Sequence, residues 1–342
     1  MALLTSTDGL DEPGHEAPEL LHKLHHGSSV LVLTVSPVLE YIFAGTEDGE
    51  IIVWSLRTFA QIHHIQAHKR SVLGLHLTQD GRYLFSSAGD PIVNVWCPRT
   101  MERLYEIYSM YDVGDIFSVA YCVKLDTVYI GAQDTSIQWV SLNDPKAVVA
   151  HDSERHPYRR YHPFFDSKAV GGTSTPRTID EKLSLVPKAQ TVLEMDSSNV
   201  LKYAQYGYVY CMLVAKGPTM LVDADEEVLI TGGGEGTIKV WKLGEGTAGQ
   251  ERSDDYDPSK FIKELMCLGT DDFLSVMAIA VDGSFLYAGK LKGIVELWDL
   301  DTKQKLRVVK AHQGDVMALN MAWGCLWSAS TTGSAAVRSI FY

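Results

Sequence analysis

His68 and Asp90 are the residues of this chain that most resemble catalytic parts, since histidine is the usual base near neutral pH and a carboxylate is its usual orienting partner. Ser86 lies between them and Trp96 follows six residues after Asp90. The same four residues also have a structural reading. A buried tryptophan contributes a large apolar area while its indole N–H still needs an acceptor. A histidine ahead of one strand, a hydroxyl on the next, an aspartate in the turn and a tryptophan on the third would supply a buried hydrogen-bonded chain. That reading explains all four residues without a substrate, and it is the one adopted.

Metal chemistry is weaker still. Twelve histidines include the clusters His22, His25, His26 and His63, His64, His68. Adjacent positions on a strand point to opposite faces, so the members of a cluster cannot converge on one ion. Cys97, Cys122, Cys211, Cys267 and Cys325 are dispersed and form no CxxC pair, which excludes a thiolate zinc motif and a disulfide framework. No HExxH or GxSxG occurs, and the glycine-rich run Gly232 to Gly236 lacks the Lys-Ser/Thr and the helix of a phosphate loop, so it reads as a turn.

The elements that must hold these residues are legible from a repeat. Trp54, Trp96, Trp139, Trp241 and Trp298 each close a short β-rich run, GEIIVW, PIVNVW, TSIQW, GTIKVW and GIVELW. Trp54 to Trp96 is 42 residues and Trp96 to Trp139 is 43. A period of about 40 residues with a turn and an apolar strand before each tryptophan predicts an all-β propeller. Six units are recognisable, each read as an inner alternating strand, a second strand ending in small residues, a turn and a third strand. The sixth keeps Gly333 but carries Arg338 at the tryptophan position. Partial forms of the hydrogen-bonded set are Asp48 with Trp54, Thr231 with Trp241, and His312 with Ser328.

One domain is therefore expected over residues 18–342, after a disordered tail at 1–17. Trp139 to Trp241 spans 102 residues, so an insertion loop is placed at 143–188 and a second, mobile loop at 244–260. The segment after the first insertion, VLEMDSSNVLKYAQYG, reads as an outer strand pair. The first insertion carries Arg155, Tyr158, Arg159, Arg160, Tyr161, Phe164 and Phe165, residue types that anchor interfaces, and is the candidate partner surface. Pro18 to His26 is the candidate strand for closing the ring. A gap where a seventh blade belongs is favoured over a closed six-blade ring.

With 30 Lys and Arg against 43 Asp and Glu, the net charge is −13 and the pI about 5.3, which argues against nucleic acid or an anionic membrane as partner. The start of the chain has no signal-peptide pattern and no apolar run reaches membrane-spanning length, so a cytoplasmic location is expected.

Runs such as QAHKRSVLGL, LFSSAGDPIVNVWCPRT, GAQDTSIQWVSL, FFDSKAVGGTSTPRT and YAQYGYVYCMLVAKGPT resemble the amino-terminal WD-repeat half of a fungal subunit of the cytosolic glutathione-degrading complex. The similarity covers roughly Pro18 to Ala336. That family joins WD repeats to a carboxy-terminal metallopeptidase domain of the aminoacylase type. The resemblance implies cleavage of γ-glutamyl peptide bonds together with a partner like the class II glutamine amidotransferases. The family's zinc ligands lie in the peptidase half, which is absent here. No catalytic or metal residue therefore carries over, no cofactor is expected on this chain, and the implied role is a non-catalytic scaffold. The alternative is a generic WD-repeat adaptor recruiting other proteins. A propeller enzyme with a site in the central channel is disfavoured because the inner strands, VLVLTV, SVLGLHL and YVYCMLVA, carry few ionisable residues.

Overall fold

The computed structural model describes residues 24–109, 113–143, 148–149, 186–187, 189–196, 198–218, 222–223, 226–244, 262–269, 272–322, 325–332 and 335–339. The tail at 1–17, most of both insertions and most of Pro18 to His26 lie outside them. Among the described residues the structure is all-β, with one 3-10 turn at Leu291–Gly293.

β1 (Val30–Ser36), β2 (Tyr41–Thr46), β3 (Glu50–Ser55) and β4 (Gln61–Gln66) form the first antiparallel sheet in chain order. β5 (Val72–Leu77), β6 (Leu84–Ala88), β7 (Ile92–Trp96) and β8 (Arg103–Ser109) repeat the pattern. The third sheet contains β9 (Ile116–Cys122), β10 (Thr127–Ala132) and β11 (Ile137–Ser141), but the next strands, β12 (Val148–Val149) and β13 (Thr191–Met195), join the second sheet. There β13 runs parallel to β8, Thr191 opposite Tyr105 through Met195 opposite Ser109. The two-residue β14 (Val200–Leu201) then completes the third sheet. β15 (Val209–Lys216), β16 (Glu227–Gly233), β17 (Ile238–Leu243) and β18 (Ile262–Leu268) make the fourth sheet. β19 (Val276–Asp282), β20 (Phe285–Lys290), β21 (Ile294–Asp299) and β22 (Gln304–Lys310) make the fifth. β23 (Val316–Ala322), β24 (Cys325–Ser330) and β25 (Ala335–Ser339) make a three-stranded sixth.

The sheets fall into two compact units, Ser28–Ile116 with Leu142–Ser197, and Met1–Gly27 with Phe117–Ser141 and Ser198–Tyr342. Within the first, β1 and β2 pack on β5; within the second, β10 packs on β15, β15 and β16 on β19, and β19 and β20 on β23.

Two corrections to the sequence reading follow. Most sheets have a fourth strand, such as QIHHIQ in β4 and QKLRVVK in β22, where three were expected. These edge strands are half-exposed and polar, so their composition resembles a connecting loop, whereas the middle strands LFSSA and IVNVW are wholly buried. The segment expected as one outer strand pair is divided, β13 lying on the second sheet and β14 on the third.

The sheets interlock at one recurrent point. A Cβ at Gly45 would stand 2.5 Å from Val72 Cγ1, and one at Gly131, Gly232 or Gly289 would stand 2.6 Å from Cγ1 of Val209, Val276 or Val316. Each valine opens the inner strand of the following sheet and is fully buried. Each also sits at a register shift, Val72/Gly74, Val209/Cys211, Val276/Ala278 and Val316/Ala318, of the kind that re-aims a side chain. Only glycine leaves room for the valine methyl.

Gly289→Ala is therefore expected to destabilise the protein by about 1–3 kcal/mol through overpacking. Val316→Ala alone should cost a similar amount, about 1–3 kcal/mol, through lost burial. Because the two changes relieve each other, denaturant unfolding of the double variant should show a loss well below the sum, and strict additivity would contradict the interlock.

Candidate functional site

The second sheet brings His68, Ser86, Asp90 and Trp96 together. Trp96 Nε1 donates to Ser86 Oγ at 2.9 Å, Ser86 Oγ lies 2.8 Å from His68 Nε2, and His68 Nδ1 lies 3.0 Å from Asp90 Oδ1. Asp90 Oδ2 accepts the Lys69 backbone N–H at 3.2 Å. Indole N–H only donates and an ionised carboxylate only accepts, so Ser86 Oγ accepts from Trp96 and His68 Nδ1–H points to Asp90.

This order of groups resembles a hydrolytic triad, yet Ser86 is 0%, His68 1% and Asp90 4% exposed. Ser86 presents no atom to solvent, and its oxygen already accepts from Trp96. The chain is a strut that satisfies a buried indole. It continues sideways: Asn94 Nδ2 donates to Ala67 O at 2.8 Å, Arg103 Nε donates to Asn94 Oδ1 at 2.9 Å, and Arg103 also holds Glu106 and the carbonyl of Pro187.

Other sheets fill the same positions with different chemistry. Leu84 pairs with Trp96 and Leu229 with Trp241, which puts Thr231 at the place of Ser86, two residues on. Trp241 Nε1 donates to Thr231 Oγ1 at 2.9 Å, and Gln205 Nε2 donates to the same oxygen at 2.9 Å. Gln205 stands four residues before Val209, as His68 stands four before Val72, and takes the histidine's place. Lys239 Nζ donates to Ala204 O at 2.8 Å, as Asn94 does to Ala67. Glu235 occupies the place of Asp90, accepting Gly207 N–H at 2.9 Å. The run Gly232 to Gly236 is thus the end of β16 and its turn.

In the fifth sheet Ala288 replaces the hydroxyl residue and the strut becomes ionic. Trp298 Nε1 donates to Glu296 Oε2 at 3.1 Å, Glu296 lies 3.4 Å from the Nζ of both Lys290 and Lys305, and Lys290 pairs with Asp272, four residues before Val276. Lys290 is fully buried, so its charge depends on these carboxylates. In the sixth sheet His312 Nε2 and Ser328 Oγ lie 2.8 Å apart. Trp54 and Trp139 are buried, and Ala44 and Gly131 stand where Ser86 and Thr231 stand in their own sheets.

Gln205, Glu235, Lys290 and Glu296 were missed by residue type. Counting four residues back from each inner-strand valine, rather than searching for histidine, would have found Gln205 and Asp272.

Among the described residues no three His, Cys, Asp or Glu are grouped to hold a metal. His63 and His64 are neighbours on β4, with His64 Nε2 3.0 Å from Glu50 Oε2, while His68 belongs to the strut. The Cys122 thiol, buried and donating to Glu227 at 3.0 Å, is pushed up to about 12, as is Cys211 by burial, so neither is a ready nucleophile. Arg155, Tyr158, Arg159, Arg160, Tyr161, Phe164 and Phe165 lie outside the described residues. No helix among the described residues is long and apolar enough to cross a membrane.

Residues 18–55 and 59–97 match the WD domain, G-beta repeat family. The chain is 29% identical over 334 residues to the "Probable di- and tripeptidase DUG2" of the yeast Saccharomyces cerevisiae, a match covering 89% of this chain and 37% of that protein. It thus spans a little over a third of that relative's length. Among solved structures it resembles the "Structure of U3-55K", with a TM-score of 0.60 and 16% identity over 92% of this chain and 78% of that one, which bears on fold alone. The chain carries WD repeats, and its fold is a β-propeller with six recognisable blades.

Ser86→Ala is expected to cost about 2–3 kcal/mol in chemical denaturation, because it removes the acceptor of Trp96 Nε1–H and leaves His68 Nε2 with only its 3.4 Å contact to Asn94 Nδ2. Ser328→Ala, which removes the 2.8 Å contact to His312 Nε2, should cost about 1 kcal/mol. Equal losses would contradict the strut.

His76, packed beside Phe85, is lowered by burial from 6.5 to about 4. Its neutral form is the native one, so its contribution is complete above pH 6.5 and is lost as the pH falls toward 4. Stability curves of wild type and His76→Leu should therefore diverge in slope across that window, the variant being flatter.

Proposed function

We propose that this chain is a non-catalytic WD-repeat scaffold of a cytosolic glutathione-degrading complex, docking a class II glutamine-amidotransferase-like subunit. The similarity to the yeast di- and tripeptidase carries the reading, because it runs over 89% of the chain and so takes in sequence that the propeller repeat does not dictate. The burial of the Ser86–His68–Asp90 strut supports the non-catalytic part, since its polar groups are consumed in holding Trp96. The net charge of −13 favours protein partners over nucleic acid or anionic membrane. The proposal places the chain in the cytoplasm, assigns it no cofactor, and gives zinc to the peptidase domain of the resembled family.

Mixing the purified chain with the amidotransferase-like protein of the same organism should yield a binary complex on size exclusion. Deleting His151 to Lys168 should weaken it by about tenfold or more if the Arg and aromatic run is an anchor. Absence of any complex would refute the scaffold reading. The chain alone is expected to release no product from glutathione or Cys-Gly, with or without added zinc, and turnover that survives repurification would overturn the non-catalytic part.

A further inference from the structure

A second surface, on the described residues, has the make-up of an interaction site. Phe117 on β9 stacks on Tyr208 with ring centroids 5.8 Å apart and planes at 19°, and Tyr210 on β15 packs against both, at 5.1 and 5.8 Å. Such a cluster ordinarily belongs to a core. Here Tyr208 is 40% exposed, and Tyr206 and Phe273, one residue after Gln205 and Asp272 in the equivalent connections, are 86% and 79% exposed.

Hydrogen bonds tie together the connections that carry these residues. Gln133 Nε2 reaches Tyr208 OH at 3.4 Å, Gly234 N–H donates to Tyr208 O at 2.9 Å, and Ser275 Oγ, two residues from Phe273, donates to Gly234 O at 2.7 Å. The exposed aromatics sit at turn positions with a left-handed backbone. Phe273 has φ 52° and Tyr203, itself 81% exposed, has φ 57°, a region that bulky residues avoid.

The charge of the surface selects the occupant. Asp134, beside Gln133 and exposed, accepts Ser136 N–H and Oγ–H on Oδ1 and forms no ion pair with the described residues, while Glu235, whose two oxygens accept from Gly207 N–H and Thr237 Oγ1, adds negative charge beside Tyr206 and Tyr208. Lys239 Nζ already sits 5.5 Å from the Tyr206 ring, showing that a ring here accepts a cation on its face. A planar guanidinium satisfies both features at once, stacking on tyrosine while its charge meets the exposed Asp134 carboxylate.

We propose that the Phe117, Tyr208 and Tyr210 cluster, flanked by Tyr206 and Phe273, docks an extended arginine-bearing segment of a protein partner. The proposal deepens the scaffold reading, on which it rests for the existence of a partner. A phosphate-backbone ligand is the poorer fit, being repelled by Asp134, Glu235 and the overall −13 charge.

The test uses the whole chain, fluorescence anisotropy, and three labelled probes: the peptide Gly-Arg-Ser-Arg-Gly-Arg-Ser, its counterpart with every arginine replaced by alanine, and oligouridine. The arginine peptide should bind about tenfold or more tighter than either control, and Tyr208→Ala should weaken it by about tenfold. Tyr206→Ala, at a position too exposed to affect folding, should weaken it by about threefold with an unchanged Tm. The proposal is overturned if the alanine peptide or oligouridine binds as tightly, if the arginine peptide shows no binding at about 1 mM, or if both variants bind like wild type. Arginine-peptide binding without an amidotransferase complex would sink the glutathione reading and leave this surface standing. A complex insensitive to Tyr206→Ala and Tyr208→Ala, with no peptide binding, would do the reverse.

Discussion

The contact between an inner-strand valine and a glycine of the preceding sheet is the constraint from which the rest of this fold follows. Val72, Val209, Val276 and Val316 are fully buried, and each fills a space that a Cβ on Gly45, Gly131, Gly232 or Gly289 would occupy. A pleated sheet is too thick for its neighbour to approach this closely unless one position lacks a side chain. The register shift at each valine turns that residue toward its neighbour while the rest of the inner strand keeps its alternation. Interiors tolerate little change of volume, so these four points set the approach of one blade to the next.

With the sheets so close, the third-strand tryptophans are sealed from water and their indole N–H groups must be satisfied inside. The protein meets that demand in three chemically distinct ways. Ser86 accepts in the second sheet under a histidine–aspartate pair, Thr231 accepts in the fourth under a glutamine, and Glu296 accepts in the fifth under a lysine whose own charge is met by Asp272. What recurs is the position of a donor or acceptor relative to the inner strand, not its residue type. The apparent catalytic trio is one local solution to this shared problem.

The connections between the sheets are built by different means. The long excursion between β11 and β14 returns through β13, which adds to the outer edge of β8 and is tied there by Arg103 to Pro187. That edge would otherwise offer unpaired backbone groups. The aromatic cluster at Phe117, Tyr208 and Tyr210 is built on residues that flank or begin inner strands, where the rigid sheets hold the rings against one another with Tyr208 still 40% exposed.

Sequence alone determined the all-β class, the repeat and the membership of the second-sheet strut, because a 42-residue spacing of tryptophans and the types of His68, Ser86 and Asp90 are written in the order of residues. It did not disclose the fourth strands, of which β4 and β22 have the polar composition of any exposed segment, and it did not identify Gln205, Lys290 or Glu296, whose roles depend on register rather than identity. The parallel addition of β13 to β8 was beyond its reach as well, since pairing across more than 80 residues leaves no periodic trace. Burial was the deciding quantity throughout. The same Ser–His–Asp order is a strut or a reactive centre according to whether solvent reaches the serine, and only the packing of the sheets decides that.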